Sequence, residues 1–300
     1  MSDQPTSGFQ FDLPHKSQTI PAMLEADHRF RFRCYKGISC FNECCKHADV
    51  TLAPFDILRL KQHKGLSSEE FLKQYTVPFE MDAHLPGVKL KTTDEGACLF
   101  MTEEGCSVYP DRPTACRYYP IGLMNMKKQD EKAEEQHYFM VKEPHCKGHE
   151  EDRELTIEEY RQEQGVEPYD DMNHGWYQIV LKKRSTGPTV GAPSETSIQF
   201  FFMCSYDVDR FRRFAMSPAF QQTYSLSDAE VQNLQTDDVA LLQFGFRLQR
   251  QVLFGEKTID EKSGVAEKRI AERKAVWEAR RLAEIEHHRQ EQEARMRDAT

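Results

Sequence analysis

The sequence predicts an α+β fold: a small cysteine-rich domain of short strands and packed helices, then a mainly helical C-terminal part, then a long charged terminal helix. Three observations carry this. Eight of the nine cysteines lie between Cys34 and Cys146, in stretches that read as short strands and turns, and only Cys204 lies outside. Helical patterns with capping signals interrupt those stretches and dominate after Thr156. From Glu256 onward the chain is dense in Glu, Arg, Lys, Gln and Ala, without proline and with Gly264 as its last glycine.

In chain order, residues 1–29 read as an extended N-terminal arm. Phe30 and Phe32 alternate with Arg29, Arg31 and Arg33, the pattern of a short strand leading into Cys34, and Gly37 allows a turn after it. Pro54 suits a first helical turn, with Phe55, Ile57, Leu58 and Leu60 supplying an apolar side and Gly65 the stop. Ser67-Ser-Glu-Glu70 is a capping box that opens a second short helix through Tyr75. Leu85 to Tyr109 reads as short strands and turns. Ala97–Phe100 and Cys106–Tyr109 flank a turn at Glu103-Glu-Gly105, which sets Cys98 and Cys106 on facing strands of a hairpin. Pro110, Pro113 and Pro120 make rigid turns around Cys116. Lys127 to Gln136 reads as an exposed charged loop, and Tyr138 to Val141 as a strand toward Cys146.

The cysteine-rich domain is expected over 30–150 and a mainly helical region over 151–255. Thr156-Ile-Glu-Glu159 opens a helix that stops at Gly165, and another covers Tyr169 to Lys183. After a Gly/Pro/Ser/Thr linker, Ile198 to Met203 reads as an apolar strand. Tyr206 to Phe214 and Ser227 to Phe254 read as helices, the second broken near Thr236. Residues 256–300 read as a long exposed helix or a fraying tail. Its opposite charges sit three or four apart, while Ile270, Trp277, Leu282 and Ile285 form no sustained heptad. A protein partner engaged through this charged helix is the sharper reading of the tail.

Composition bounds the function. Hydrophobic residues are 39% and charged residues 30% of the 300 residues, so part of the chain is solvated and adds little to a core. The net charge of −9 argues against a general nucleic-acid binder. No stretch approaches the roughly 20 apolar residues of a membrane span, and the N-terminus carries no apolar run of signal-peptide length. The expected compartment is therefore the cytoplasm, where thiols stay reduced and clustered cysteines bind metal rather than pair as disulfides.

The stretch Cys34-Tyr-Lys-Gly-Ile-Ser-Cys40-Phe-Asn-Glu-Cys44-Cys45 packs four cysteines into twelve residues, and Cys98, Cys106, Cys116 and Cys146 follow. Four thiolates satisfy a tetrahedral zinc or a [4Fe–4S] or [2Fe–2S] cluster. Eight could make two four-ligand sites, or one site plus structural or redox thiols. Neighbouring side chains diverge, so one ion rarely takes both Cys44 and Cys45; the pair favours two centres, or one ligand beside a bystander. Cys40-x3-Cys44 is neither the C-x2-C of most zinc folds nor the ferredoxin run. Arg112 and Arg117 bracket Cys116 and could offset thiolate charge, or pair with Asp111 at the surface. His47, His145 and His149 lie near cysteines as candidate zinc ligands or neighbours of the site. Cys204, among Phe202, Met203 and Tyr206, reads as a small buried hydrophobe. There is no GxGxxG, P-loop, HExxH or nucleophile elbow, so nothing supports a hydrolase or a nucleotide-dependent enzyme.

Cys40-x3-Cys44-Cys45, Cys98-x7-Cys106-Ser-Val-Tyr-Pro-Asp-Arg-Pro-Thr-Ala-Cys116-Arg-Tyr-Tyr-Pro120 and Cys146-Lys-Gly148 together resemble the YkgJ-type cysteine-cluster family, described as zinc- or iron-chelating or Fe–S-cluster-containing. The resemblance spans about residues 30–150 and is most specific from Cys106 to Pro120. It implies metal ligation by Cys34, Cys40, Cys44, Cys45, Cys98, Cys106, Cys116 and Cys146. The gap Cys34-x5-Cys40 is wider than the family's usual spacing. A related cysteine-rich region in flagellin lysine methylases implies a modifying-enzyme alternative, for which this sequence offers no further cofactor motif. The expectation is thus a metal-binding protein with an iron–sulfur cluster or Zn²⁺. The alternatives are an Fe–S oxidoreductase or protein-modifying enzyme, and a metal-trafficking protein.

Overall fold

The computed structural model describes residues 18–127, 134–185 and 193–271, together with 274, 278, 281 and 282. It is α+β, with four small antiparallel sheets and more helix than strand among the described residues. Strand β1 (Gln18–Leu24) begins inside the stretch expected as an arm; residues 1–17 of that stretch lie outside the described residues. It is followed by β2 (Arg29–Arg31), α1 (Glu43–Lys46), β3 (Thr51–Leu52), α2 (Pro54–Lys64), α3 (Ser68–Tyr75), β4 (Thr76–Glu80) and β5 (Pro86–Leu90). Then come β6 (Met101–Thr102), β7 (Gly105–Cys106), α4 (Thr114–Tyr118), β8 (Ile121–Lys127), β9 (Glu134–Lys142) and β10 (Glu154–Thr156). The rest is helical: α5 (Ile157–Gln164), α6 (Glu167–Ser185), α7 (Glu195–Tyr206), α8 (Val208–Ala215), α9 (Pro218–Thr223), α10 (Asp228–Thr236) and α11 (Asp238–Phe254).

The capping signals act as the sequence indicates. The Ser67 hydroxyl accepts from the Glu70 N–H while the Glu70 carboxylate accepts from the Ser67 N–H, and Thr156 and Glu159 repeat the exchange at α5. Gly65 closes α2 at φ 64°, a left-handed conformation that costs glycine nothing.

The strands form sheets in the order β1-β9-β8, β3-β5-β4, β10-β2 and β6-β7. Two apolar cores lie on them. The larger gathers Leu52, Ile57, Leu58, Leu60, Phe71, Val88 and Leu90 from α2, α3 and the β3-β5-β4 sheet with the buried faces of α6 to α11. The smaller gathers Phe30, Phe32, Leu155, Ile157, Tyr160, Tyr118, Ile121, Tyr138 and Met140, so β2, β10, α4, α5, β8 and β9 share it. Each such side chain contributes about 1.5–3 kcal/mol when fully buried.

Four expectations need correction. Residues 198–203 are helical, inside α7, not a strand. Ser194 caps that helix by accepting from the Ser197 N–H (3.2 Å), and its apolar run is continuous because it is buried, a pattern that a core helix and a buried strand share. The hairpin of β6 and β7 pairs Cys106 with Met101, whereas Cys98 pairs with Thr92, so the two cysteines do not face each other across it. Of the interval expected as a loop, Lys127 belongs to β8 and Glu134 to Gln136 belong to β9; residues 128–133 lie outside the described residues. The terminal helix starts only at residue 265. Before it, Thr258 bonds to Gln251 and Arg247 of α11 and Ile259 is buried. Residues 283–300 lie outside the described residues. Among the described residues, no helix is long and apolar enough to cross a membrane.

Candidate metal centre

The cysteines arrive on separate pieces of chain. Cys34 follows β2. Cys40 lies in a turn, and Cys44 and Cys45 sit side by side on the four-residue helix α1, none of whose residues is buried. Cys98 precedes β6, Cys106 ends β7, Cys116 lies in α4, and Cys146 begins a single 3₁₀ turn over Lys147–Glu150.

Backbone pairing brings Cys34, Cys40 and Cys146 together. The Arg33 N–H donates to the Gly148 carbonyl (3.0 Å), and the Lys147 N–H donates to the Cys40 sulfur (3.2 Å). Gly148 is required at this crossing: a Cβ there would lie 2.5 Å from the Phe32 ring and 3.1 Å from the Arg33 carbonyl. Cys146 packs against the smaller core.

A second set forms around Cys98. Its N–H donates to the Cys45 carbonyl (2.8 Å), and its carbonyl accepts from the Met101 N–H (3.0 Å), which leads into the hairpin that ends on Cys106. Gly105 makes that hairpin possible at φ 117°. Cys98 and Cys106 pack against the larger core. Cys116 is set by α4, whose first residue, Thr114, donates through both its N–H (2.8 Å) and its hydroxyl (2.6 Å) to the buried Asp56 carboxylate of α2.

The sulfurs of Cys44 and Cys45 are 4.0 Å apart, close to the separation of two thiolates on one tetrahedral ion. Asn42, in a left-handed conformation at φ 68°, donates to the Thr102 carbonyl (2.9 Å) and ties α1 to the hairpin. Cys204 stands apart, fully buried in α7.

The thiols act on one another. Partial burial pushes the Cys34 thiol up to about 11, reinforced by Cys44, Cys40 and Cys146, while the Arg112 guanidinium pulls the other way. The contact with Cys45, then desolvation by the surrounding chain although the residue keeps exposed surface, raises Cys44. Burial raises Cys116, and Cys98, Cys106 and Cys44 add to it. Burial likewise raises Cys98, Cys106 and Cys146. Arg112 opposes the rise at Cys106, and a hydrogen bond with Tyr119 opposes it at Cys146.

The two arginines beside Cys116 therefore differ. Arg112 stacks over Tyr109, donates to the Tyr109 carbonyl (3.3 Å) and to Gln164, and its charge lowers the Cys34 and Cys106 thiols somewhat against their burial. Arg117 donates to the carbonyls of Arg112, Gln164 and Pro110 and to the Tyr169 hydroxyl, so its guanidinium is spent on the scaffold. Neither takes Asp111, which pairs with Arg59 (2.5 Å) and His63 (2.8 Å). His145 bonds to Glu143 (3.2 Å), and His149 bonds to the Val141 carbonyl and lies against Phe32. His47 lies beside Gly96. Tyr119 and Glu143 escape a reading of the sequence. The Tyr119 hydroxyl donates to Glu143 (2.8 Å) beside Cys146, a meeting made by the β8–β9 pairing and visible beforehand only as a tyrosine within Cys116-Arg-Tyr-Tyr-Pro120.

Among the described residues, no three His, Cys, Asp or Glu side chains converge tightly enough as they stand to hold an ion. The donor set nonetheless fits a soft metal. Thiols that raise one another's pKa are costly to ionise without a cation, and zinc or iron removes that cost while binding the thiolates.

Residues 33–147 match the family model CxxCxxCC, described as a putative zinc- or iron-chelating domain. The spacing in that label is not kept literally, since this chain reads Cys34-x5-Cys40-x3-Cys44-Cys45. No curated protein and no solved structure matches the chain. Residues 33–147 are thus similar to a cysteine-cluster domain described as a putative zinc- or iron-chelating one.

Proposed function

We propose that the chain holds Zn²⁺ or an iron–sulfur cluster through the thiolates of Cys34, Cys40, Cys44, Cys45, Cys98, Cys106, Cys116 and Cys146. The observation that supports this reading most is that thiols from distant segments are tied to one another by Lys147–Cys40 and Cys98–Cys45 backbone contacts, with Cys98 and Cys106 against the larger core and Cys146 against the smaller, while Cys204 is left alone in the helical interior. Zinc bound there supplies a fixed cross-link; an iron–sulfur cluster supplies a centre that can change charge. The chain's own contribution is to position the sulfurs and temper their charge. The Lys147 N–H points at Cys40, Tyr119 hydrogen-bonds Cys146, and Arg112 sets its positive charge near Cys34 and Cys106. The cytoplasm is the compartment in which so many reduced thiols persist.

The test is metal and acid-labile sulfide content on protein purified without oxygen. Iron with sulfide assigns a cluster, and zinc without sulfide assigns a structural or regulatory site. Protein that carries neither metal and takes up neither overturns the proposal.

A further inference from the structure

We infer that Cys44 and Cys45 form a two-thiolate site for one soft cation of low coordination number, copper(I), on the surface of the cysteine-rich domain. The inference goes beyond the zinc or iron–sulfur reading and uses no other cysteine. The two thiols also belong to the eight proposed above, so copper held here competes with zinc or iron for them.

The geometry of the pair carries this. Neighbouring side chains are expected to diverge, yet the sulfurs of Cys44 and Cys45 lie 4.0 Å apart. A thiolate bond to a first-row ion is about 2.3 Å long, so one ion spans two sulfurs about 3.8 Å apart in tetrahedral geometry and about 4.6 Å apart in linear geometry. The observed separation falls between these limits, and one ion can bridge the pair without rebuilding the turn.

The backbone holds the pair in place. The Cys45 N–H donates to the Asn42 carbonyl (2.9 Å), and the Cys45 carbonyl accepts from the Cys98 N–H (2.8 Å). The Asn42 side chain donates to the Thr102 carbonyl (2.9 Å). Helix α1 is thus anchored on both sides of the pair, although none of its residues is buried. Cys44 is exposed and Cys45 half-buried, so an ion can reach the sulfurs from solvent and leave by thiolate exchange.

The donor count selects the ion. Among the described residues, no group of three His, Cys, Asp or Glu side chains converges to hold an ion. Zinc in a closed site and the common iron–sulfur clusters each take four ligands. Copper(I) is soft, is selected by thiolates and is satisfied by two of them. The step moves no electrons. Copper arrives and stays as copper(I), two S–Cu bonds form, and the two thiol protons pass to solvent.

The experiment gives the reduced, metal-free full-length chain one equivalent of copper(I), as its acetonitrile complex, without oxygen and in the presence of bicinchoninate, whose colour reports the copper left unbound. Cys44→Ser and Cys45→Ser should each weaken capture by about a hundredfold, the gain that linking two donors gives. Cys204→Ala should leave it unchanged. The wild-type chain supplies two further readouts should a variant fail to fold. X-ray absorption at the copper edge should count two sulfurs. Alkylation mapped by mass spectrometry should spare Cys44 and Cys45 while it labels Cys34, which is also exposed. Capture that survives Cys44→Ser, copper ringed by three or more sulfurs, or protection that falls on other cysteines overturns the site. A chain that takes up neither zinc nor iron yet captures copper in this way defeats the reading above and supports this one.

Discussion

Asp56 offers the sharpest test of how α4 is held. Its carboxylate is fully buried and accepts from the Ala53 N–H (2.8 Å) on one oxygen, and from the Thr114 N–H and hydroxyl on the other. Burial nevertheless outweighs these three donors and pushes the carboxyl up from 3.8 to about 6. In Asp56→Asn the amide oxygen can keep both Thr114 bonds, but the amide nitrogen then faces the Ala53 N–H. One buried donor is left unpaired, at about 1–3 kcal/mol. At neutral pH this loss is offset, because the variant no longer buries an ionised group. The sign with pH follows. A carboxyl with a raised pKa in the folded state binds its proton before the unfolded chain does, so it contributes stability at low pH that is lost as pH rises through about 6. Between pH 7 and pH 5 the wild-type chain should gain about 1 kcal/mol that the asparagine variant cannot gain. Urea unfolding of both chains at the two pH values measures this: the cost of the substitution should be small at pH 7 and about 1 kcal/mol larger at pH 5. A gap that stays constant or narrows on acidification would refute the argument that the carboxylate is held ionised against its burial.

Further predictions follow from other named contacts. Arg117→Lys should cost about 2–4 kcal/mol, because an ammonium cannot span the carbonyls of Arg112, Gln164 and Pro110 and the Tyr169 hydroxyl at once; urea midpoints measure it. Lys61→Met should cost about 1–3 kcal/mol, because it removes the cation shared by Asp209 (3.2 Å) and Asp238 (3.0 Å) while Asp238 keeps Arg212 and Asp209 keeps the Ser68 N–H; thermal unfolding with and without the compensating Asp209→Asn reads it. Cys204→Ala should cost about 1 kcal/mol and leave bound metal unchanged, whereas Cys34→Ser should lower metal content; elemental analysis of both variants separates a core thiol from a ligand.

The capping boxes at Ser67 and Thr156, the glycine stops and the break near Thr236 could be read from the chain because they are local: one side chain and the backbone within about three residues decide them. The strand-for-helix error at 198–203 arose where local information runs out, since a buried helix and a buried strand both read as continuous apolar sequence. At the candidate site, the residue types were legible from cysteine density alone. Their arrangement was not, because it depends on contacts such as Lys147 to Cys40, 107 residues apart, and Asp56 to Thr114, 58 apart. Arg112 and Arg117 look equivalent beside Cys116 in the sequence; only the fold shows Arg117 consumed by three carbonyls and the Tyr169 hydroxyl, and Arg112 bonded to the Tyr109 carbonyl and the Gln164 side chain.

The two apolar cores have a consequence for exchange. In a zinc finger the ion is the core, so a chelator unfolds the domain. Here Phe30, Phe32 and Tyr160 pack in one core and Leu58, Phe71 and Val88 in the other. A metal bound beside them would add to apolar contacts that its removal leaves in place, so loading and release should be measurable without global unfolding.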